Sequence, residues 1–287
     1  MLGILGCPAM PETVLYEVDG RVATLTLNRP DRLNAIVPAL IGDFEAALDR
    51  AEADEAVHAI RLRGAGRVFC AGYDIDWGSE AMLAGEADAP WDPIRDYQTM
   101  SRFVRAYMRL WDSPKPVIAQ VHGFCVGGGT DFALCSDLIV CADDAYIGYP
   151  PARVWGSPTT SMWIYRLGLE RCKRLLLTGD ALDGRRAVEW GLACESAPAA
   201  ELDDVALALS KRVALLPHNQ LQMMKLLVNQ AYEQMGLRVT QLIGTLLDGD
   251  ARHTPEGVAF SRRAQQSVGA ALAERDAPFG DYGQRPR

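Results

Sequence analysis

The sequence lacks several things that would assign it quickly. It has no apolar run long enough to cross a bilayer. It has no surplus of positive charge: 29 Lys and Arg stand against 37 Asp and Glu, a formal net charge of −8. That argues against a nucleic-acid partner, which favours a basic surface. It has no C-x-x-C pair. Its seven cysteines (Cys7, Cys70, Cys125, Cys135, Cys141, Cys172, Cys194) are odd in number and scattered, so neither a disulfide framework nor a zinc site is indicated. Most sit among apolar neighbours and are expected to be small buried hydrophobes, and the cytoplasm is the natural compartment. There is no G-x-x-x-x-G-K-[ST], and the one triple glycine does not fit G-x-G-x-x-G. A P-loop or dinucleotide-binding protein is therefore poorly supported. Met1 to Pro8 is apolar but lacks a basic leader and is too short for a signal peptide; it reads as a frayed or packed terminus.

What is present is an ordinary globular composition, 49% hydrophobic and 23% charged, on a chain of 287 residues. Val22 to Leu27 alternates Ala23, Leu25 and Leu27 with Thr24 and Thr26, the pattern of a half-buried strand. Further strands are expected at Ala59–Arg63, Val117–Val121, Leu138–Ala142 and Tyr146–Gly148. Helical spacing runs through Val37–Asp54 and Arg95–Trp111, with an acidic loop from Gly78 to Pro93 between the second strand and the second helix. From Pro158 onward helices dominate. Asp183-Gly184 starts one that Gly191 ends, Pro217 opens a long helical tail, and Thr254 caps a helix with Pro255 in its first turn. Met223 and Met224 are expected in a helix core or a subunit contact.

The densest chemistry lies in His122-Gly123-Phe124-Cys125-Val126-Gly127-Gly128-Gly129-Thr130-Asp131. This stretch follows the β-rich Pro116–Val121 and precedes the helix-like Phe132–Cys135. Three consecutive glycines at a strand-to-helix junction leave backbone N–H groups approachable. Such groups can stabilise a developing oxyanion, and the nearby Asp131 can move protons.

Four segments, in order, resemble the enoyl-CoA hydratase/isomerase (crotonase) family. They are Leu27-Asn28-Arg29-Pro30-Asp31-Arg32-Leu33-Asn34-Ala35, Arg67-Val68-Phe69-Cys70-Ala71-Gly72-Tyr73-Asp74-Ile75, Lys115 through the triple glycine, and Leu177-Thr178-Gly179-Asp180 through Leu192. The likeness runs from about Val14 to Phe260. It implies an α/β fold, a crotonase-like spiral of β-β-α units, with a core over residues 1–212 that carries the acyl-CoA site. A C-terminal helical region over 213–287 would cover the pocket and make oligomer contacts, in a homotrimer or dimer of trimers. The substrate implied is an acyl-CoA thioester, with coenzyme A entering as part of it and no separate cofactor or metal. Carried over by position, the backbone N–H groups of Tyr73 and Gly128 form the oxyanion hole, the Tyr73 side chain being incidental. Arg32, Leu33, Ala35, Ala71, Gly72, Asp74 and Ile75 match positions around the CoA moiety, and Arg32 is a candidate partner for a CoA phosphate, as are Arg29 and Arg67.

The sequence departs from the family where a hydratase holds water between two glutamates. Asp131 takes the first position, one methylene shorter. Pro151 takes the second, and proline neither gives nor accepts a proton there. No carboxylate stands between Ala145 and Leu169, and Asp143 and Asp144 lie on the wrong side of the strand. Asp131 is then the only carboxylate expected at the reacting centre. Alternatively it caps a helix beginning near Thr130. The helix dipole would favour its ionised form, suiting a base. Weaker candidates each have a plainer reading. His122 could shuttle protons or be a bonded structural residue. Tyr146 and Tyr149 could donate to substrate or pack in the core. Arg153 could pair a substrate carboxylate, or with Trp155 shape the acyl pocket. Asp74 and Asp76 could face the pocket or sit in turns. The expectation is an acyl-CoA-processing enzyme. Enoyl-CoA hydration is the leading label, isomerisation or hydrolysis the alternatives, and a non-catalytic acyl-CoA-binding member the rival.

Overall fold

The computed structural model describes residues 12–78 and 91–280. Met1–Pro8 and most of the expected Gly78–Pro93 loop lie outside the described residues. Two strands, β1 (Val14–Asp19) and β2 (Val22–Leu27), form a hairpin whose turn carries Gly20 at φ 59°. β1 was not legible as a strand, because it is a partly exposed edge without clean alternation. The sheet continues through β3 (Ala59–Gly64), β4 (Val117–Val121), β6 (Leu138–Ala142) and β9 (Glu195–Ala197) in the order β1-β2-β3-β4-β6-β9. Every pairing after the hairpin is parallel.

A second sheet has the order β5 (Phe124–Val126), β7 (Tyr146–Gly148), β8 (Ala181–Leu182). Successive turns of chain place one strand in each sheet and then a helix. β4 and β5 lead to α3 (Gly129–Cys135); β6 and β7 lead to α4 (Met162–Leu176). This is the expected spiral of β-β-α units.

A parallel sheet covered on both faces buries both sides of its strands. β2 is therefore buried at all six positions, not half-buried as its alternation predicts. The Thr24 and Thr26 hydroxyls accept hydrogen bonds from Arg61 Nε and Arg63 Nε at 3.2 and 3.0 Å. Both arginines also donate to Asp203 of a covering helix (Leu202–Val213). On the other face α1 (Pro38–Ala53) buries Leu40, Ile41, Phe44, Ala47, Leu48 and Ala51, a helical stripe. Buried Lys115 closes α1 by donating from Nζ to the carbonyls of Ala51 and Asp54.

Helix α2 (Pro93–Asp112) starts at Asp92, whose carboxylate accepts from the N–H groups of Ile94 and Arg95. It packs on α3 and on a long C-terminal helix, Leu237–Arg252. The expected caps are in place: Asp183 accepts from Arg186 N, and Thr254 Oγ1 from Gly257 N. Of the described cysteines, all are free and all but Cys194 are buried. Met223 and Met224 stay about half exposed, so they do not belong to the core of the protomer. Among the described residues no helix is long and apolar enough to cross a membrane.

Candidate active site

The two glycine segments, far apart in sequence, lie side by side. Phe69 N donates to His122 O at 2.8 Å, Cys70 N to Phe124 O at 3.0 Å, and Val126 N to Cys70 O at 3.1 Å. On the other edge of the first segment, Ala71 N donates to Leu33 O, Ile36 N to Gly72 O, and Asp74 N to Ile36 O. Buried Asn34 locks the approach. Its Nδ2 donates to the carbonyls of Ala65, Val68 and Phe69, and its Oδ1 accepts from Arg29 N. Nothing in the sequence marked this role for Asn34.

The close approach explains the glycines. Gly72 sits at φ 90°, and a Cβ there would lie 2.9 Å from Val126 O and 3.3 Å from Gly128 N. A Cβ on Gly129 would lie 2.4 Å from Cys70 O. Around the junction the neighbouring amides are spent: Gly127 N donates to Gly148 O, Thr130 N to Gly127 O, Asp131 N to Gly128 O. Among the described residues the N–H groups of Tyr73 and Gly128 donate to no acceptor.

The Tyr73 side chain is less incidental than expected. Its ring covers Gly128, where a Cβ would lie 2.6 Å from the ring. The ring meets Phe103 edge-on at 5.3 Å, and its hydroxyl accepts from Tyr107 Oη at 3.1 Å. The ring thus braces the segment that carries the second N–H.

Asp131 is 1% exposed, one turn into α3. It does not cap that helix: the cap position is Gly128, and the Asp131 carboxylate accepts from Thr160 Oγ1 at 2.5 Å. The dipole argument for an ionised carboxylate fails. Burial dominates and pushes the Asp131 carboxyl up to about 7, helped by the negative charge of Asp248 and opposed by the Thr160 hydrogen bond.

These groups open on a cavity of about 910 Å³. Of the ten predicted site residues, all but Arg32 and Ala35 line it. The Ala35 carbonyl accepts from Arg29 instead. Arg32 is half exposed and pairs with Asp74 at 3.0 Å and with Asp76 at 2.5 Å. Burial works against ionisation of Asp74, yet hydrogen bonds and charge from Arg32, with a hydrogen bond from Arg29, hold its carboxyl below the usual range.

Pro151 lies in a 3-10 turn (Pro150–Arg153) and its ring packs towards Gly127 in the cavity wall. Trp155 lines the cavity and stacks on Phe260 at 5.5 Å, as a pocket-shaping residue would. Tyr149 also lines it, with its hydroxyl donating to Ser157 O at 2.7 Å. Three weaker candidates fall away. His122 bonds Gly66 O through Nε2, and burial lowers its pKa. Tyr146 packs edge-on against Phe124. Arg153, 1% exposed, is held by Asp276 and Asp180, so it is not kept for a substrate carboxylate.

Asp131 is not the only carboxylate in the cavity wall: Asp96 and Asp248, joined through Arg252, are among the others. Asp248 comes from the helix Leu237–Arg252, nearly a hundred residues beyond Pro151. No local pattern could have announced it.

Comparison with known proteins agrees with this architecture. The family model for enoyl-CoA hydratase/isomerase matches residues 17–253. A crystal structure of enoyl-CoA hydratase from Mycobacterium smegmatis superimposes with a TM-score of 0.90 at 46% identity, over 95% of this chain and 96% of that one. The 1,2-epoxyphenylacetyl-CoA isomerase of Escherichia coli is 30% identical over 273 residues, 94% of this chain and 99% of the relative. The hydroxycinnamoyl-CoA hydratase-lyase of Pseudomonas fluorescens is 31% identical over 206 residues, 70% of this chain and 72% of the relative. The family thus includes hydratases, isomerases and lyases acting on CoA thioesters. With a model match across most of its length and the crotonase fold throughout, this chain belongs to the enoyl-CoA hydratase/isomerase family.

Proposed function

We propose that the chain binds an enoyl-CoA thioester with its carbonyl oxygen between the N–H groups of Tyr73 and Gly128, and that Asp131 moves a proton at the adjoining carbons. The observation that carries this reading is the pairing of two amides without acceptors and a buried carboxyl in one cavity. Two preorganised donors aimed at an enolate oxygen are each worth about 3 kcal/mol. A carboxyl near 7 is divided between acid and base at neutral pH, which suits taking and returning one proton.

With Asp131 as the one carboxyl that moves the proton, double-bond isomerisation follows directly. Asp131 removes a proton from the α-carbon of a 3-enoyl thioester, the charge spreads into the carbonyl, and the same carboxyl returns the proton at the γ-carbon. Hydration is the second reading, favoured by the hydratase from M. smegmatis at 46% identity. It needs water held by something other than Pro151. Hydrolysis would use the same hole. A member that binds acyl-CoA without turnover is the remaining rival.

A C-terminal helical region (213–287) that covers the pocket and makes the subunit contacts is part of this proposal. Its support is the apolar face left open on the helices His218–Gln234 and Leu237–Arg252: Leu227 is 67% exposed, Val239 63% and Ile243 51%. The expected assembly is a homotrimer or a dimer of trimers. No separate cofactor or metal is invoked.

The test is turnover of 3-enoyl-CoA and 2-enoyl-CoA by wild type and Asp131→Asn. Loss of about 10²- to 10⁴-fold in the variant is expected. Isomerisation in D₂O with the α-proton partly retained in the product supports one shuttling carboxyl. An Asp131→Asn variant as active as wild type removes Asp131 from the mechanism. Tight binding of both esters by wild type, with no turnover of either, favours the binding-only reading.

A further inference from the structure

Among the described residues, Arg95, Arg252 and Arg275 line the cavity. Arg252 is committed: it donates to Asp248 Oδ2 at 2.9 Å and to both oxygens of Asp96 at 2.8 and 2.7 Å. Arg95 is exposed, where solvent serves its charge. Arg275 is in neither state. Its side chain is 7% exposed, and Asp276 grips one edge of its guanidinium. Nε donates to Oδ1 and Nη2 to Oδ2, each at 2.7 Å. Asp276, 3% exposed, also accepts from Arg153 Nη1 at 3.2 Å. Arg153 stands on the turn Pro150–Arg153, so this one carboxylate ties the helix Val268–Asp276 to the loop that packs towards Gly127.

A guanidinium carries five N–H groups in a planar fork, and Asp276 takes two of them. Nη1 of Arg275 donates to no acceptor among the described residues. It is not sealed from solvent, as the equally unpartnered Arg252 Nε and the Trp91 and Trp155 indoles are. Arg275 lines the cavity and little of it is exposed anywhere. The open edge, Nη1 with the second N–H of Nη2, is therefore offered to the cavity. A fixed cation with little water around it attracts an anion more strongly than one in bulk solvent. The open edge matches two oxygens of a carboxylate or a phosphate. Asp276 orients the fork, but it divides its own charge between Arg275 and Arg153. The anion partner sought at Arg153 thus stands one carboxylate away. Arg32, the expected partner of a CoA phosphate, pairs with Asp74 and Asp76 and does not line the cavity.

Resting on the acyl-CoA reading above, we propose that Arg275 is an anion-binding residue of the cavity. Its open edge takes two oxygens of an anionic group on the bound thioester, and Asp276 is the positioning residue that holds that edge in place. The group is a carboxylate carried by the acyl chain or a phosphate of the CoA moiety, since both present paired oxygens to a guanidinium.

Equilibrium binding to the full-length protein tests this without depending on the reaction. The probes are hexanoyl-CoA, the carboxylated esters succinyl-, glutaryl- and adipoyl-CoA, and hexanoyl-pantetheine, which lacks the phosphates. Arg275→Met should weaken binding about tenfold or more wherever the anion it serves is present. If that anion is an acyl carboxylate, at least one carboxylated ester loses affinity and hexanoyl-CoA does not. If it is a CoA phosphate, every CoA ester loses alike and hexanoyl-pantetheine keeps its affinity. A loss for hexanoyl-pantetheine equal to that of the CoA esters would mark a structural role and overturn the proposal. Unchanged affinity for every probe overturns it too, and leaves the acyl-CoA reading standing. If wild type binds no CoA ester, both fall. Arg275→Lys keeps the cation and its pair with Asp276 but has no second edge to offer. It should show the same pattern of loss, and it decides the matter where the methionine variant does not fold.

Discussion

Asp131 carries two opposed demands at the scale of a single residue. Burial resists its charge, and proton transfer needs that charge for half of each cycle. As a base it works in its ionised form, so kcat/KM for a 3-enoyl thioester should rise as pH passes through about 7 and level off above. Stability should run the other way. The folded carboxyl holds its proton up to about 7, above the ordinary 3.8 of an unfolded chain. Between those values the folded state binds more protons than the unfolded one, so stability falls as pH rises across that window. Asp131→Asn removes the penalty. The variant should therefore gain in Tm relative to wild type at pH 8 and show little or no gain at pH 4. Equal differences at both pH values would mean that burial of the charge is not what the fold resists. Thr160 limits the penalty with its hydrogen bond, so Thr160→Val should move the activity profile to higher pH.

At the scale of elements, the site is a junction of three short segments held by main-chain hydrogen bonds and one side chain, Asn34. Asn34→Ala leaves the carbonyls of Ala65, Val68 and Phe69 without that donor in a buried place. A loss of about 2 to 3 kcal/mol in denaturant unfolding is expected. Gly129→Ala should be worse, because its Cβ meets the Cys70 carbonyl and backbone cannot move aside cheaply. The elements themselves were largely readable. Strands with β-branched runs, such as Val117–Val121, and helices with marked starts, such as the one capped by Thr254, lie where their patterns put them. Three of the shortest strands were harder. β5, β8 and β9 have two or three residues each, too few to show a period, and exist because their neighbours offer hydrogen bonds. The site divides the same way. Tyr73, Gly128 and Asp131 belong to motifs continuous in sequence. Asp248, Arg252 and Asp96 meet only through helix packing, and their i, i+4 spacing on one helix looks like any surface pair.

For the molecule as a whole, the C-terminal helices leave an apolar face open among the described residues. Val239, Ile243 and Leu247 repeat every fourth residue, each more than half exposed. Such a stripe on a lone protomer invites association. Light scattering should give the mass of three or six chains, and Leu227→Glu or Ile243→Glu should shift the protein to smaller species. A wild-type monomer at micromolar concentration would remove the helical region from the assembly proposal. Because the helix Leu237–Arg252 also brings Asp248 and Arg252 to the cavity, dissociation should loosen that wall of the site before the glycine junction.

The two unspent amides have a consequence in time as well as in shape. Tyr73 and Gly128 lie within a densely bonded junction, where neighbouring amides exchange with deuterium only when the structure opens. These two have no bond to break. They should exchange early, as isolated fast sites inside a slow region, and slow sharply once a thioester oxygen seats between them. The binding event would then be visible at two named main-chain positions, before any bond in the ligand has changed.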